Sequence, residues 1–259
     1  MRWCRFQDGD RARYGIIEGD TIVAVEGEPW GDTWRGATHP LDGTRLLVPV
    51  IPPTFYAAGV NYREHVIENA RARGVEPEFP PRADVGYRAN NALIADGEDI
   101  VIPRDATDLV QYEGELVAVI GKRCRRVSEA EALDYVFGYT IGNDVSERSW
   151  QREDRTFFRA KNTDTFKPMG PWIETDLDPA DLEVTIRLNG REMYTYRVGD
   201  AIFSLQQFIS RTSDYVTLVP GDVIWMGTDG ATENMKHGDV VEIEVPGIGI
   251  LRNPVVRES

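Results

Sequence analysis

Short apolar runs that alternate with turn residues fill the first fifty positions of the chain. In "ARYGIIEGDTIVAVEGEPWG", Ile16-Ile17 and the run from Thr21 to Val25 are separated by Glu-Gly-Asp and followed by Glu-Gly-Glu. Apolar runs of this length between turn residues are typical of a β meander. A proline pair then precedes a new apolar run. We therefore predict a small N-terminal β domain over 1–51 and a catalytic domain over 52–259.

Beyond the proline pair, strand signals outnumber helix signals. Helical signals, which include a Ser-x-x-Glu capping box and an apolar face at spacings of three and four, predict helices over 62–74, 128–136 and 204–216. Period-two or short apolar runs predict strands over 100–103, 115–121, 183–188, 223–226 and 240–245. Helices this few and irregular do not suit a doubly wound sheet or a regular β/α barrel. We predict an α+β fold that is mostly β, a mixed and largely antiparallel β-sandwich roll with peripheral helices.

Two acids stand at the start of one apolar strand, in "QYEGELVAVIGK". Glu113 and Glu115 are two residues apart, so their side chains point to one face of the strand while Gly114 points to the other. A second apolar strand ends in Asn-Asp, which places Asp144 at its mouth. Three converging carboxylates repel each other unless a cation stabilises them. Hard oxygen ligands suit Mg²⁺ or Mn²⁺, and Ca²⁺ accepts the same ligands.

Each of these acids alone has an ordinary interpretation, since E-x-E is usually two solvated glutamates and a lone aspartate usually caps a turn. Two neighbouring segments favour a site. In "NYREHVIEN", His65 and Glu68 are three apart on one helix face, an arrangement that suits general base catalysis as well as a simple surface pair. In "FFRAKNTDTFKPMGPW", Lys161 can stabilise a developing oxyanion, although most lysines are merely exposed.

Composition narrows the classes of function. The chain has 259 residues and a formal net charge of −14, which argues against a nucleic-acid partner or an anionic membrane surface. Its two cysteines give neither a disulfide framework nor a zinc pattern. The polar first residues do not resemble a secretory signal, and no apolar run has the length of a membrane span. We predict a cytoplasmic protein.

Together the segments resemble the fumarylacetoacetate hydrolase family over about residues 55–255. The segments are "GVNYREH", "YEGELVAVIGK", "GYTIGNDVSERSWQ", "AKNTDTFKPMGPW" and "VPGDVIWMGT", in the order and spacing of the family. The resemblance implies a mixed β-sandwich roll and a metal-dependent enzyme, commonly a homodimer, that acts on 2-oxo or 2,4-dioxo acids.

The resemblance also assigns roles by position. It implies metal binding by Glu113, Glu115 and Asp144. It implies catalysis by His65, Glu68 and Lys161, and substrate contacts by Arg148, Gln151 and Thr228. Two departures from the family pattern concern the substrate, namely Asp229 where a proline is usual and Arg88 where a lysine is usual. Tyr87 and Arg88 are candidates to bind a substrate carboxylate, because arginine binds carboxylates in a bidentate way.

Our leading hypothesis is a Mg²⁺- or Mn²⁺-dependent hydrolase that cleaves a carbon–carbon bond in an acylpyruvate-like 2,4-dioxo acid, in the breakdown of aromatic or related compounds. One alternative keeps the site but makes it a decarboxylase or isomerase of a 2-oxo or 2-hydroxydienoic acid. Another, motivated by the unusual "GTDGATENM" segment, is a catalytically silent metabolite-binding protein. The substrate itself is not encoded in these motifs.

Overall fold

The fold is that of a computed structural model, which describes residues 1–230 and 233–259. Within those residues the chain forms nineteen strands and four α-helices. The strands are β1 (Arg2–Asp8), β2 (Arg11–Glu18), β3 (Thr21–Glu26), β4 (Trp34–Pro40), β5 (Leu46–Leu47), β6 (Phe55–Ala58), β7 (Val85–Tyr87), β8 (Leu93–Ile94), β9 (Ile100–Ile102), β10 (Val110–Gln111), β11 (Gly114–Ile120), β12 (Val136–Asn143), β13 (Ser146–Glu147), β14 (Lys167–Glu174), β15 (Glu183–Leu188), β16 (Arg191–Arg197), β17 (Val223–Trp225), β18 (Val240–Val245) and β19 (Gly249–Arg257). The helices are α1 (Arg63–Arg73), α2 (Arg148–Glu153), α3 (Phe158–Asn162) and α4 (Leu205–Tyr215).

Two sheets contain most of these strands. The larger sheet has the order β4-β3-β2-β1-β14-β12-β11-β17-β6-β7, with β5 paired to β1 and β8 paired to β14. The second sheet has the order β16-β15-β18-β19-β9, and β10 pairs with β13 apart from both. Most pairings are antiparallel; the exceptions are β6 with β17, β8 with β14 and β9 with β19. The predicted α+β, mostly β architecture is confirmed.

The N-terminal strands continue the larger sheet. Strands β1 to β4 pair in sequence order as an antiparallel meander, as the pattern predicts. Strand β1 also pairs with β14, where Arg2 lies opposite Glu174 and Trp3 opposite Ile173. The first residues are thus hydrogen-bonded to the strand that begins at Lys167. The division of the chain at residue 51 stays a prediction.

Two glycines let side chains pack closely on both faces of the paired strands β11 and β12. A Cβ on Gly114 would lie 2.7 Å from the Ile186 side chain and 3.1 Å from that of Ile243, so the second sheet packs directly on this backbone. A Cβ on Gly142 would lie 2.5 Å from the Trp225 ring, which covers the opposite face. The main hydrophobic core lies between the sheets, while Trp225 belongs to a second apolar cluster.

Two of the three predicted helices form. Helix α1 ends at Gly74 in the left-handed conformation, and α4 begins with a capping box between Ser204 and Gln207. The helix predicted over 128–136 is wrong, because that segment contains only a 3-10 turn at Ala132–Tyr135. The Ser128 hydroxyl donates to the Glu131 carboxylate at 2.6 Å rather than accepting a backbone N–H. No helix among the described residues is long and apolar enough to cross a membrane.

Candidate active site

The three predicted acids meet where β11 begins and β12 ends. These strands are antiparallel, with Gly114 opposite Asn143, so the mouths of the two strands are neighbours. The Asp144 N–H donates to the Glu113 carbonyl at 2.8 Å, and the Glu113 N–H donates to Asn143 Oδ1 at 2.9 Å. One carboxylate oxygen from each of Glu113, Glu115 and Asp144 lies within 4.8 Å of the other two, and all three residues are buried.

Three cations surround Asp144. Lys161 Nζ lies 2.8 Å from Oδ2 and Lys167 Nζ lies 2.8 Å from Oδ1. Arg88 donates to the same carboxylate through Nε at 3.1 Å and Nη2 at 2.7 Å. Burial alone would raise the pKa of Asp144, but the positive charges of Arg88, Lys161 and Lys167 hold it well below its usual range. Asp144 therefore stays ionised.

Glu113 is held in a similar way by the helices that follow β13. Lys161 on α3 places Nζ 2.6 Å from Oε2, and Arg148 on α2 places Nη1 2.6 Å from Oε1. Arg148 is oriented in turn by Gln111, which accepts from Nε at 2.7 Å, and by Gln151, which accepts from Nη1 at 2.8 Å. Burial would raise the pKa of Glu113, but the lysine and arginine charges lower it.

Glu115 differs from the other two acids. Its Oε2 accepts a 2.8 Å hydrogen bond from the neutral Gly227 N–H, and among the described residues no cation lies within ion-pair distance. Burial, and then the charges of Asp144 and Glu113, raise the pKa of Glu115 to about 8. A divalent cation held by the three oxygens would favour the ionised form. The donor set therefore fits a metal ion, and Glu115 is the acid that a metal would stabilise most.

His65 and Glu68 border the same residue, Gly230, as their spacing on one face of α1 predicts. A Cβ on Gly230 would lie 3.3 Å from His65 Nδ1 and 3.7 Å from Glu68 Oε2, so both side chains border this glycine. Burial lowers the pKa of His65, and the nearby Glu113 charge opposes that shift. The imidazole is therefore neutral at neutral pH and able to accept a proton. Glu68 is exposed.

Along the chain, Thr228 lies between Gly227, which contacts Glu115, and Gly230, which borders His65. It is buried, and its hydroxyl lies 3.0 Å from the hydroxyl of Tyr194 on β16. It directly follows Gly227, whose N–H binds Glu115. The structure therefore brings Thr228, Lys161, Arg148 and Gln151 to the surroundings of the three acids. The segment "GTDGATENM" includes Ala231 and Thr232, which lie outside the described residues.

Two predicted substrate ligands have other contacts. Arg88 binds Asp144, and its Nη1 donates to the Tyr87 carbonyl at 3.0 Å, so the guanidinium already has protein partners. The Tyr87 side chain is 60% exposed and its ring packs 5.5 Å from that of Tyr56. It lines a separate cavity of about 190 Å³ beside Arg211. The structure thus does not bring the Tyr87 ring to the acids.

Lys167 is a site residue that the sequence reasoning missed. Its Nζ contacts Asp144 and donates to the carbonyls of Val145 at 3.0 Å and Phe166 at 2.8 Å. Burial lowers the pKa of Lys167 to about 7, against the opposing charge of Asp144. Its position between Phe166 and "PMGP" was the available signal, because a lysine inside an apolar run needs a buried partner.

Comparison with known proteins agrees with this geometry. The family model for the Fumarylacetoacetate (FAA) hydrolase C-terminal domain matches residues 54–256. The chain belongs to the fumarylacetoacetate hydrolase family. A second model, Rv2993c-like N-terminal, matches residues 1–49. Family members of known structure cover the chain from end to end.

Several family relatives cover nearly the whole chain. Protein Rv2993c of Mycobacterium tuberculosis is 38% identical over 100% of this chain and 99% of its own length. A 2,4-didehydro-3-deoxy-L-rhamnonate hydrolase of a Sphingomonas species is 35% identical over 98% of this chain and 96% of its own.

Solved structures extend the comparison. A 5-carboxymethyl-2-hydroxymuconate delta-isomerase from Mycobacterium smegmatis is 39% identical with a TM-score of 0.90, and each chain is fully covered. A maleylpyruvate hydrolase from Sphingobium sp. SYK-6, solved with manganese(II) and pyruvate, is 27% identical with a TM-score of 0.80, again with both chains fully covered. Hydrolases and isomerases thus share this fold, and the family is one of enzymes.

Proposed function

We propose that the chain is a divalent-metal-dependent hydrolase that cleaves a carbon–carbon bond in an acylpyruvate-like 2,4-dioxo acid, in the breakdown of aromatic or related compounds. The observation that carries the proposal is the position of His65, which borders Gly230 together with Glu68, three residues after the Gly227 N–H that binds Glu115. A hydrolase needs such a base to activate water beside a site that holds the oxo acid.

Glu113, Glu115 and Asp144 would hold the metal, which we propose is Mg²⁺ or Mn²⁺, with Ca²⁺ as an alternative ion that accepts the same ligands. When bound, the ion supplies Lewis-acid polarisation of the oxo-acid oxygens. Support comes from the Sphingobium maleylpyruvate hydrolase, whose structure was solved with manganese(II) and pyruvate. Glu115, which has no cation of the protein beside it, supports the binding of a divalent ion at the three carboxylates.

The chain's own groups would handle the protons and the developing negative charge. His65 would take a proton from water, and Glu68 would stabilise the resulting imidazolium. The Lys161 ammonium, already between Glu113 and Asp144, would stabilise negative charge on the pyruvate-like half of the substrate. Arg148 and Gln151 would orient the substrate from α2, and the Thr228 hydroxyl would contact it from the opposite side.

Isotope labelling tests the reaction class. An acylpyruvate panel is incubated with the protein and Mn²⁺ in H₂¹⁸O, and the released acid is analysed by mass spectrometry. Hydrolysis places one ¹⁸O in the carboxylate of the acid released from the acyl half. His65→Ala should lose this activity and keep Mn²⁺ binding, whereas His237→Ala, at an exposed loop position, should behave as wild type. Turnover of the panel without ¹⁸O in the released acid would overturn the hydrolase proposal.

Isomerisation is the second candidate, supported by the fully covering Mycobacterium smegmatis isomerase. An isomerase would shift a proton through the same histidine without breaking the carbon chain. In D₂O it would give an uncleaved product that carries carbon-bound deuterium.

Binding of Mn²⁺ without turnover of any oxo acid would instead favour the metabolite-binding alternative. Homodimer formation stays a prediction, which light scattering on the purified protein tests.

A further inference from the structure

Two tyrosines of the second sheet reach one short segment of the site. Tyr194 and Tyr196 are two apart on β16 and therefore point to the same face. The Tyr196 hydroxyl donates to the carbonyl of Gly114 at 2.8 Å and lies 3.3 Å from that of Gly227. The Tyr194 hydroxyl donates to the Gly230 carbonyl and lies 3.0 Å from the Thr228 hydroxyl.

The segment 227–230, which these tyrosines contact, has a different neighbour at each end. At its root, the Gly227 N–H donates to Glu115, and the preceding Met226 carbonyl accepts from Asn61 Nδ2 at 3.0 Å. At its tip, Gly230 borders His65 and Glu68. Four residues thus connect a metal-site carboxylate with the candidate base, and the two tyrosines bind opposite ends of this connection.

The same tyrosines belong to a row of four rings. Tyr112 stacks on Tyr194 with centroids 6.3 Å apart, Tyr194 lies 6.3 Å from Tyr196, and Tyr196 meets Tyr62 edge-on at 4.8 Å. Tyr112 directly precedes Glu113, and Tyr62 is the N-cap residue of α1, which carries His65. The row therefore connects β16 with the starts of two elements that supply site residues, β11 and α1.

We propose that Tyr194 and Tyr196 are positioning residues with separate tasks: Tyr196 fixes the root of segment 227–230 at Glu115, and Tyr194 fixes its tip at His65 and Glu68. The assignment of the tip to catalysis rests on the proposed function; the assignment of the root to metal binding rests on the acid cluster. Tyr194 also orients Thr228. Because Tyr194 donates its own proton to Gly230, its oxygen can accept the Thr228 proton and leave the Thr228 lone pairs for substrate.

Three phenylalanine variants test the division: Tyr194→Phe, Tyr196→Phe and, as a matched control, Tyr14→Phe in the N-terminal strand β2. Each is measured for Mn²⁺ affinity by calorimetry, for amide hydrogen exchange in the peptide that contains 226–230, and for kcat and KM on the best oxo acid. We expect Tyr196→Phe to weaken Mn²⁺ binding by about tenfold, the scale of one lost hydrogen bond. Tyr194→Phe should leave Mn²⁺ affinity within about twofold of wild type and lower kcat by about tenfold.

Hydrogen exchange separates positioning from a general loss of stability. Tyr194→Phe should speed exchange in the 226–230 peptide and leave the peptides of β11 and β12 unchanged. Equal effects of the two site variants on Mn²⁺ affinity, or exchange no faster than in Tyr14→Phe, would overturn the inference. If wild type turns over no oxo acid, the proposed function fails, while Mn²⁺ affinity and exchange still decide whether root and tip are held separately.

Discussion

Asp144 and Glu115 belong to one acid cluster, yet the chain holds them in opposite ways. Asp144 has Arg88, Lys161 and Lys167 within ion-pair distance, and its pKa lies well below the usual range. Glu115 has one neutral N–H donor, and burial with two neighbouring carboxylates raises its pKa to about 8. Both are fully enclosed, so the difference comes from their charged neighbours and not from exposure.

The two acids therefore have different roles. Asp144 is neutralised by the protein itself and contributes to the folded state whether or not a metal is bound. Glu115 has no cation of the protein beside it to stabilise its ionised form, and a metal ion would supply that positive charge. The following experiments separate a structural acid from an acid reserved for the metal.

The largest effect is expected for Asp144→Asn. The change leaves three buried cations without their shared carboxylate, and breaking a buried ion pair from one side costs about 3–5 kcal/mol. Urea unfolding in EDTA measures the loss, with Asp105→Asn as the exposed control. A loss below about 1 kcal/mol, the level of a surface pair, would show that Asp144 is not the structural acid.

Glu115→Gln should separate metal binding from stability. Loss of a direct ligand should weaken Mn²⁺ binding by more than the roughly 10–100-fold typical of a lost supporting residue. In EDTA, the unfolding free energy should be no lower than that of wild type, since the amide is uncharged at any pH, whereas the buried carboxyl has to keep a proton up to its pKa of about 8. Calorimetry and urea unfolding measure the two quantities, and Glu129→Gln is the exposed control. Unchanged Mn²⁺ affinity would remove Glu115 from the ligand set.

Lys167→Met should have an intermediate effect. Asp144 would keep Arg88 and Lys161, but the carbonyls of Val145 and Phe166 would lose their buried donor, at a cost of about 1–3 kcal/mol. Thermal unfolding compares this variant with Lys122→Met, an exposed lysine. If Lys167→Met is more stable than wild type, burial of the ammonium destabilises the folded protein by more than its three contacts stabilise it.

The last prediction concerns a pH dependence that Glu115 contributes to the metal-free protein. The folded carboxyl keeps its proton up to a pKa of about 8, while the unfolded carboxyl releases it near 4.5, so the folded state binds more protons between these values. Stability contributed by this group therefore falls as the pH rises through that window. Urea unfolding in EDTA at several pH values should show the fall in wild type relative to Glu115→Gln. A difference between the two proteins that grows in the opposite direction would contradict the raised pKa.

The sequence predicts the acid cluster well because its cause is local. Side-chain alternation at the start of β11 places Glu113 and Glu115 on one face. Antiparallel pairing of β11 with β12 then brings Asp144 beside them. The spacing of His65 and Glu68 likewise specifies a shared helix face. These contacts follow from the geometry of single elements and of one pair of neighbouring strands.

The contacts of Arg88, Lys167 and the two tyrosines are not predicted, because they join segments that lie apart in the sequence. The substrate contact of Arg88 stays a prediction, and its guanidinium binds Asp144, fifty-six positions further along the chain. Tyr194 and Tyr196 lie outside the predicted strands, and their contacts with the site depend on the packing of the second sheet on Gly114. The helix predicted over 128–136 is wrong for another reason, because its local capping signal was not supported by an apolar face.

Gly114 and Gly142 restrict how this protein can evolve or be engineered. Side chains of the second sheet contact Gly114 on one face, and the Trp225 ring of β17, in the same sheet, contacts Gly142 on the other, so even a methyl group at either position would displace those side chains. New substrate preferences therefore have to arise in the segments around the acids, namely α1, α2, α3 and 227–230. Mutant libraries aimed at new activities should leave the β11–β12 hairpin intact and diversify those four segments.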